Sequence, residues 1–290
     1  MKQKRYKGKY SNKKRSFGWI KWLLRRLLVL SASAAGIHAL DMAMARSTYD
    51  GLSEIVQAAA TETAAPKEST LPESPTAAPT QPEETIAVTT VPPETEPQPL
   101  PQYLSLYEKN PDFFGWVKID DTKIDYPVMY APDDLEKYLH NDYEGNYFYG
   151  GTPYMDVRCS PESENYLIYG HNMLDGSMFR WLMKYEKKTY WESHPIIQFD
   201  TLYEERKYEI VAAFYDRVYY SHEDCFKFYN VIDLEDEAAF NEAISNFKAK
   251  AIYDTGVTPE YGDQLLTLIT CAYHTENGRF VVVAAKKAAA

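Results

Sequence analysis

Gln264-Leu265-Leu266-Thr267-Leu268-Ile269-Thr270-Cys271, followed after a turn by Arg279 and the apolar run Phe280–Ala285, decides how this chain is read. Gln264 to Thr270 has the short, apolar, β-branched character of a strand and delivers a thiol to its end. Ala272 to Gly278 reads as a turn, punctuated by Glu276-Asn277-Gly278. If the two runs pair as a hairpin, Cys271 and Arg279 fall near facing positions. Cross-strand neighbours have Cβ atoms about 5 Å apart. A nucleophile and a permanent cation would then share one small site.

A thiol needs help to react. With a reference pKa near 8.5, only about 3% is thiolate at pH 7, so a base or positive charge must be close. Two histidines compete for that role. His171 follows Gly170 at the end of a strand-like run, Tyr166–Tyr169, from which its ring can project at a rim. His274 lies three residues after Cys271, in the turn, where nothing obvious fixes its orientation. His140, His194 and His222 read as ordinary solvated or core imidazoles. An arginine beside a turn is usually solvated, yet Arg279 has the planar fork that can donate two hydrogen bonds to a developing oxyanion. Tyr169 shares a strand face with His171, as residues two apart do; it can line a substrate groove or simply pack. Thr270, next to the thiol, is another candidate for substrate contact.

The pentapeptide Thr267–Cys271 resembles the TLxTC signature of sortases, the cysteine transpeptidases of Gram-positive cell surfaces. Phe114-Gly115-Trp116-Val117-Lys118-Ile119, Thr122–Val128, Tyr169-Gly170-His171-Asn172-Met173 and Asp175–Phe179 are similar to class B sortases in particular. The resemblance runs from about Leu104 to Lys286. It implies a mainly β fold with inserted helices: a closed eight-stranded barrel, helices at its N-terminus and one between strands six and seven. It favours His171 over His274 and a working role for Arg279. It also implies a reaction. Cys271 attacks the carbonyl after Thr in a C-terminal sorting signal of a surface protein, His171 gives a proton to the leaving amine, and the thioester is resolved by an amine. That amine belongs to a cell-wall precursor, or to a pilin lysine in a polymerising enzyme. Class B members often carry Ser where this chain has Ile269, so fine substrate preference does not carry over. Two other readings compete: a non-catalytic stalked surface-binding module, against which the Cys271, His171 and Arg279 set speaks, and a papain-like wall hydrolase, in which Cys precedes His in the chain. There is no phosphate loop and no Cys/His spacing for a metal, so no cofactor is expected.

Composition places the rest. The 290 residues are 45% hydrophobic and 25% charged, enough for one good core. Of 31 basic residues, eleven lie in Met1–Arg26, which has no acidic residue. The remainder carries 20 basic against 42 acidic residues, which argues against nucleic acid as its partner. A basic arm (1–26) suits an anionic inner leaflet. Residues 27–45 are a marginal membrane span, or a signal segment cleaved after Ala43-Met44-Ala45; the arm orients the N-terminus inside and the domain outside. On the second reading the protein is secreted. Residues 46–60 are a candidate juxtamembrane helix. Residues 61–101 hold ten prolines with many Thr and Glu and read as an extended linker, either a stalk or a tolerated spacer. Residues 102–290 form the catalytic domain. Three cysteines, Cys159, Cys225 and Cys271, leave at least one thiol unpaired; a Cys159–Cys225 bond is a minor alternative.

Within the domain, helices are expected at Tyr103–Asn110, Asp133–Leu139, after a Ser177 cap with Met178, Leu182 and Met183 on one face, and at Leu234–Lys250. Strands are expected at Phe114–Ile119, Ile124–Tyr130, Pro153–Val157, Asn165–Tyr169, Ile196–Asp200 and Lys207–Asp216, besides the two around Gly278. Periodicity alone does not choose a barrel over a sandwich.

Overall fold

The computed structural model describes residues 42–44, 46–62, 97–234 and 236–286. Residues Ser47–Ala290 form one compact unit. The basic arm and most of the expected membrane segment lie outside the described residues, as does the linker apart from its two ends. Among the described residues, no helix is long and apolar enough to cross a membrane.

Eight strands close on themselves: β1 (Phe113–Lys118), β2 (Asp125–Met129), β3 (Tyr154–Met155), β4 (Asn165–Tyr169), β5 (Ile196–Thr201), β6 (Lys207–Arg217), β7 (Leu265–Cys271) and β8 (Gly278–Lys286). Their order around the barrel is β1-β2-β3-β4-β7-β8-β6-β5. Closure leaves no unpaired edge, which a sandwich of strands this short would expose. The neighbours β2/β3 and β4/β7 run parallel. The parallel β4/β7 pair sets the site, because it brings two strand ends of the same polarity to one rim. Val117, Leu167, Phe199, Phe214, Leu268 and Val282 are fully buried in the barrel.

Helices cover the outside. α1 (residues 46–62) is held through Tyr49, whose hydroxyl donates to the Gly151 carbonyl and also meets Thr152, and through Ser53, which donates to Asp125. α2 (Pro101–Lys109) begins on a proline, which has no N–H to lose at that position; its Tyr103 hydroxyl donates to Asp200 at 2.6 Å. α3 is the short Lys188–Ser193. α4 (Glu237–Lys250) lies between β6 and β7, as the resemblance implied. Asp236 caps it by accepting from the Ala239 N–H. Its buried face is Phe240, Ala243, Ile244 and Phe247, with Phe247 stacked on Phe214 of β6.

Two expected helices differ. Asp133–Leu139 forms successive turns, with bonds such as Lys137 N–H to Asp134 O. The Asp134 carboxylate takes the Glu136 N–H, offering the backbone an alternative to a helix. The segment after Ser177 is a 3₁₀ helix, Phe179–Glu186. Its buried residues are Phe179, Leu182 and Tyr185, at the spacing of three that a 3₁₀ helix lines up. Met183 is half-buried, and the Ser177 hydroxyl donates to Asp175 rather than capping. The three cysteines are free: Cys159 is buried and Cys225 exposed, so no bond joins them.

Candidate active site

β7 and β8 pair antiparallel in a register that places Cys271 directly opposite Arg279. The turn between them is held where Ala272 N–H donates to the Gly278 carbonyl at 3.0 Å. Asn277 adopts φ 54°, a conformation Asn tolerates better than most residues. At Gly278 a Cβ would lie 2.2 Å from the Ala272 carbonyl oxygen, so the tight closure requires glycine. Arg279 Nη1 donates to the carbonyls of Asn277 and Gly278, which keeps the guanidinium at the rim beside the thiol's strand.

β4 supplies the histidine. It runs parallel to β7 with Tyr169 opposite Ile269, so His171 stands two residues past one partner just as Cys271 stands two past the other. The extension is pinned on both sides: Gly170 N–H donates to the Ile269 carbonyl, and the Thr270 hydroxyl donates to the Gly170 carbonyl at 2.8 Å. Leu139, Tyr154, Tyr169, Gly170, His171, Ile269, Thr270, Cys271 and Arg279 together line a small cleft of about 90 Å³.

The imidazole has its own support. Nε2 lies 2.9 Å from the Leu139 carbonyl oxygen. A carbonyl only accepts, so Nε2 carries the proton and Nδ1 is left as the basic nitrogen. The ring also stacks with His140 (5.3 Å between centroids) and Tyr149 (6.3 Å). Burial lowers the His171 pKa below the usual imidazole value; the Leu139 carbonyl partly opposes this and His140 adds to it. The ring is therefore neutral at neutral pH. His274, the competitor, is exposed and packs against Tyr215 rather than lining the cleft.

Tyr169 and Thr270 border the cleft with their hydroxyls committed. Tyr169 donates to Asp156, which is paired in turn with Arg158. Burial would raise the Asp156 pKa, but the Arg158 hydrogen bonds outweigh it and hold the carboxyl below the usual range. Thr270 is only 1% exposed. Sequence reasoning missed the supporting groups: Leu139, Tyr154, the ring of His140, and Asn172. The Asn172 amide donates to the Cys271 carbonyl at 2.6 Å, while Arg180 donates to its oxygen. Asn172 does stand inside the Tyr-Gly-His-Asn-Met segment, the one signal that pointed to it. Cys159 is a different thiol altogether: buried, near the Asn165 carbonyl, and pushed by burial up to about 12. Among the described residues, no group of His, Cys, Asp and Glu is arranged to hold a metal ion.

A closed barrel that presents a thiol, an imidazole and a guanidinium around one rim cleft defines a narrow class of thiol-bearing β-barrel proteins. The Sortase domain family model matches residues 117–287. Sortase B of Staphylococcus aureus (strain NCTC 8325 / PS 47) is 30% identical over 188 residues, covering 63% of this chain and 74% of the relative. Sortase B of Listeria monocytogenes serovar 1/2a is 33% identical over 182 residues, covering 61% and 70%. Among solved structures, a Staphylococcus aureus sortase B–substrate complex superposes with a TM-score of 0.59 at 28% identity, covering 67% of this chain and 88% of that one. Sortase B from B. anthracis in complex with AAEK1 gives 0.57 at 30% identity, covering 65% and 87%. This chain belongs to the sortase family, and its relatives are class B members.

Proposed function

We propose that this protein is a cysteine transpeptidase that cleaves a C-terminal sorting signal after Thr and transfers the surface protein to an amine of a cell-wall precursor. One observation carries the reading: Cys271 faces Arg279 across a ladder, and His171 occupies the matching position on the parallel neighbour, all on one cleft.

The geometry suggests the sequence of events. Substrate enters with its scissile carbonyl between Cys271 and Arg279. The Cys271 sulfur adds to the carbonyl carbon, and its proton passes to His171 Nδ1, the nitrogen that the Leu139 contact leaves free. Arg279 exchanges its turn-carbonyl contacts for two hydrogen bonds to the oxyanion. The C–N bond then breaks, and the imidazolium gives its proton to the departing amine. A thioester remains on Cys271. The acceptor amine attacks it, loses a proton to His171, and releases the thiol in its starting form. Tyr169 and Thr270 border the space for the residue preceding the scissile bond. With a resting imidazole kept neutral by burial, His171 starts as a base and becomes an acid within one turnover. The N-terminal basic arm and residues 27–45 tether the domain outside the membrane.

The test is incubation of the protein with a library of sorting-signal peptides, with and without amine acceptors, read by mass spectrometry. Cleavage after Thr, with acceptor-dependent transfer products, supports the reading. Absence of cleavage across the library would refute it.

A further inference from the structure

The parallel ladder between β4 and β7 ends on a side chain. Its last registered pair is Tyr169 with Ile269, and the Gly170 N–H adds one more bond, to the Ile269 carbonyl. Bonds of a parallel ladder are evenly spaced and recur at every second residue. The next would run from the Asn172 N–H to the Cys271 carbonyl. That carbonyl is taken instead by the Asn172 side chain, whose Nδ2 donates to it at 2.6 Å.

The substitution frees the backbone to leave the strand. The His171 carbonyl accepts from the Phe179 N–H at 2.9 Å, and Asn172 pairs with Met178. Gly170 permits this turn: a Cβ there would meet the ring of Phe179 at 2.6 Å, and Phe179 is fully buried. The turn carries the imidazole to the Leu139 carbonyl. Asn172 therefore joins two strand ends, one bearing the thiol and one the imidazole, beyond the point where the ladder stops.

The amide has one workable orientation. A guanidinium only donates and a carbonyl only accepts, so Oδ1 faces Arg180 Nη1 at 2.9 Å and Nδ2 faces Cys271. Asn172 is 7% exposed, so losing either partner leaves a buried polar atom unsatisfied. None of the ion pairs among the described residues involves Arg180. Its charge strengthens the bond to Oδ1, and the polarised amide becomes a better donor at Nδ2.

We propose that Asn172 and Arg180 are positioning residues for acyl transfer: Asn172 sets the placement of the Cys271 thiol relative to the His171 imidazole, and Arg180 sets the Asn172 amide. Neither lines the thiol cleft, so both act through the Cys271 backbone and not on substrate. The proposal rests on the transpeptidase reading and adds to it what keeps the proton-transfer pair in register.

Two measurements on the full chain test it. In the first, steady-state cleavage of a sorting-signal peptide is followed. Asn172→Ala is expected to lower kcat about tenfold with KM changed by less than about twofold. Asn172→Asp keeps the shape and the Arg180 contact but sets an acceptor against the Cys271 carbonyl, and is expected to lose as much. Arg180→Ala is expected to lose about fivefold and Arg180→Lys, which keeps a donor, less than about twofold. A wild-type kcat in either Asn172 variant overturns the role of Asn172; equal losses in the two Arg180 variants overturn that of Arg180. The second measurement needs no peptide. Alkylation of Cys271 by iodoacetamide at pH 7 is followed by mass spectrometry in a double-mutant cycle with His171→Ala. Asn172→Ala is expected to slow alkylation when His171 is present and to have no further effect once it is gone. Additive effects would show that Asn172 acts apart from the thiol–imidazole pair and would overturn the proposal. Failure of any peptide to be cleaved would instead sink the transpeptidase reading, and the alkylation cycle would still decide whether Asn172 positions the pair.

Discussion

The two sides of the thiol cleft are built differently. Cys271 and Arg279 are placed by a strand ladder, seven residues of β7 paired in register with β8. His171 stands beyond the end of its ladder and is oriented by loops: the Leu139 carbonyl, the stacked rings of His140 and Tyr149, and through them the segment 131–153. That segment is itself clamped from outside. Gly151 (φ +56°) lies so close to Leu139 that a Cβ would meet the Leu139 carbonyl oxygen at 2.4 Å, and the Tyr49 hydroxyl of α1 donates to the Gly151 carbonyl. The proposed nucleophile and its proposed oxyanion donor thus share the stability of the barrel, whereas the proposed acid–base group depends on packing that can shift locally.

Changes on the ladder side are expected to act most strongly. Arg279→Lys keeps the charge but loses the fork, and kcat/KM for peptide cleavage is expected to fall about 100-fold. A near-normal rate would remove Arg279 from the oxyanion role. Gly278→Ala forces a methyl group onto the Ala272 carbonyl and is expected to cost about 2 kcal/mol in denaturant unfolding, with activity falling alongside it. Unchanged stability would mean that the turn is looser than its hydrogen bonds indicate.

On the loop side, effects are smaller and more selective. Tyr49→Phe removes the hydroxyl contacts with Gly151 and Thr152 and is expected to cost about 1 kcal/mol, with a rate loss of only a few-fold. A loss as large as that of Arg279→Lys would erase the contrast between the two sides. The smallest effect is a titration. Burial holds the folded His171 pKa below the ordinary 6.5, so the unfolded chain binds more protons between the two values. The stability linked to this group is complete above about pH 6.5 and declines as pH falls through the lower folded value. His140→Gln removes a like charge that faces the ring and is expected to move the His171 titration upward, followed by imidazole NMR. A downward movement would show that His140 supports the imidazolium instead.

The same contrast explains what the sequence reveals. The β7–β8 hairpin is legible because continuous apolar runs, β-branching and Asn277-Gly278 all act over fewer than twenty-five residues, and register follows once the turn is placed. The barrel's closure is not local; the resemblance, not periodicity, supplied it. The support of His171 is hidden because Leu139 and Tyr149 act through a backbone carbonyl and a ring face, neither of which leaves a residue-type signature. The expected helix at Asp133–Leu139 points to the same blind spot: the turn-forming carboxylate of Asp134 won over helical spacing in the very segment that orients the imidazole.

The most direct test is to locate the acyl group. The protein is incubated with a cleavable sorting peptide, quenched in acid, and digested, and the adduct is mapped by tandem mass spectrometry. The account requires a thioester on Cys271 in the wild type and no adduct in Cys271→Ala. An acyl group on Cys159 or Cys225, or peptide turnover that persists without Cys271, would contradict it.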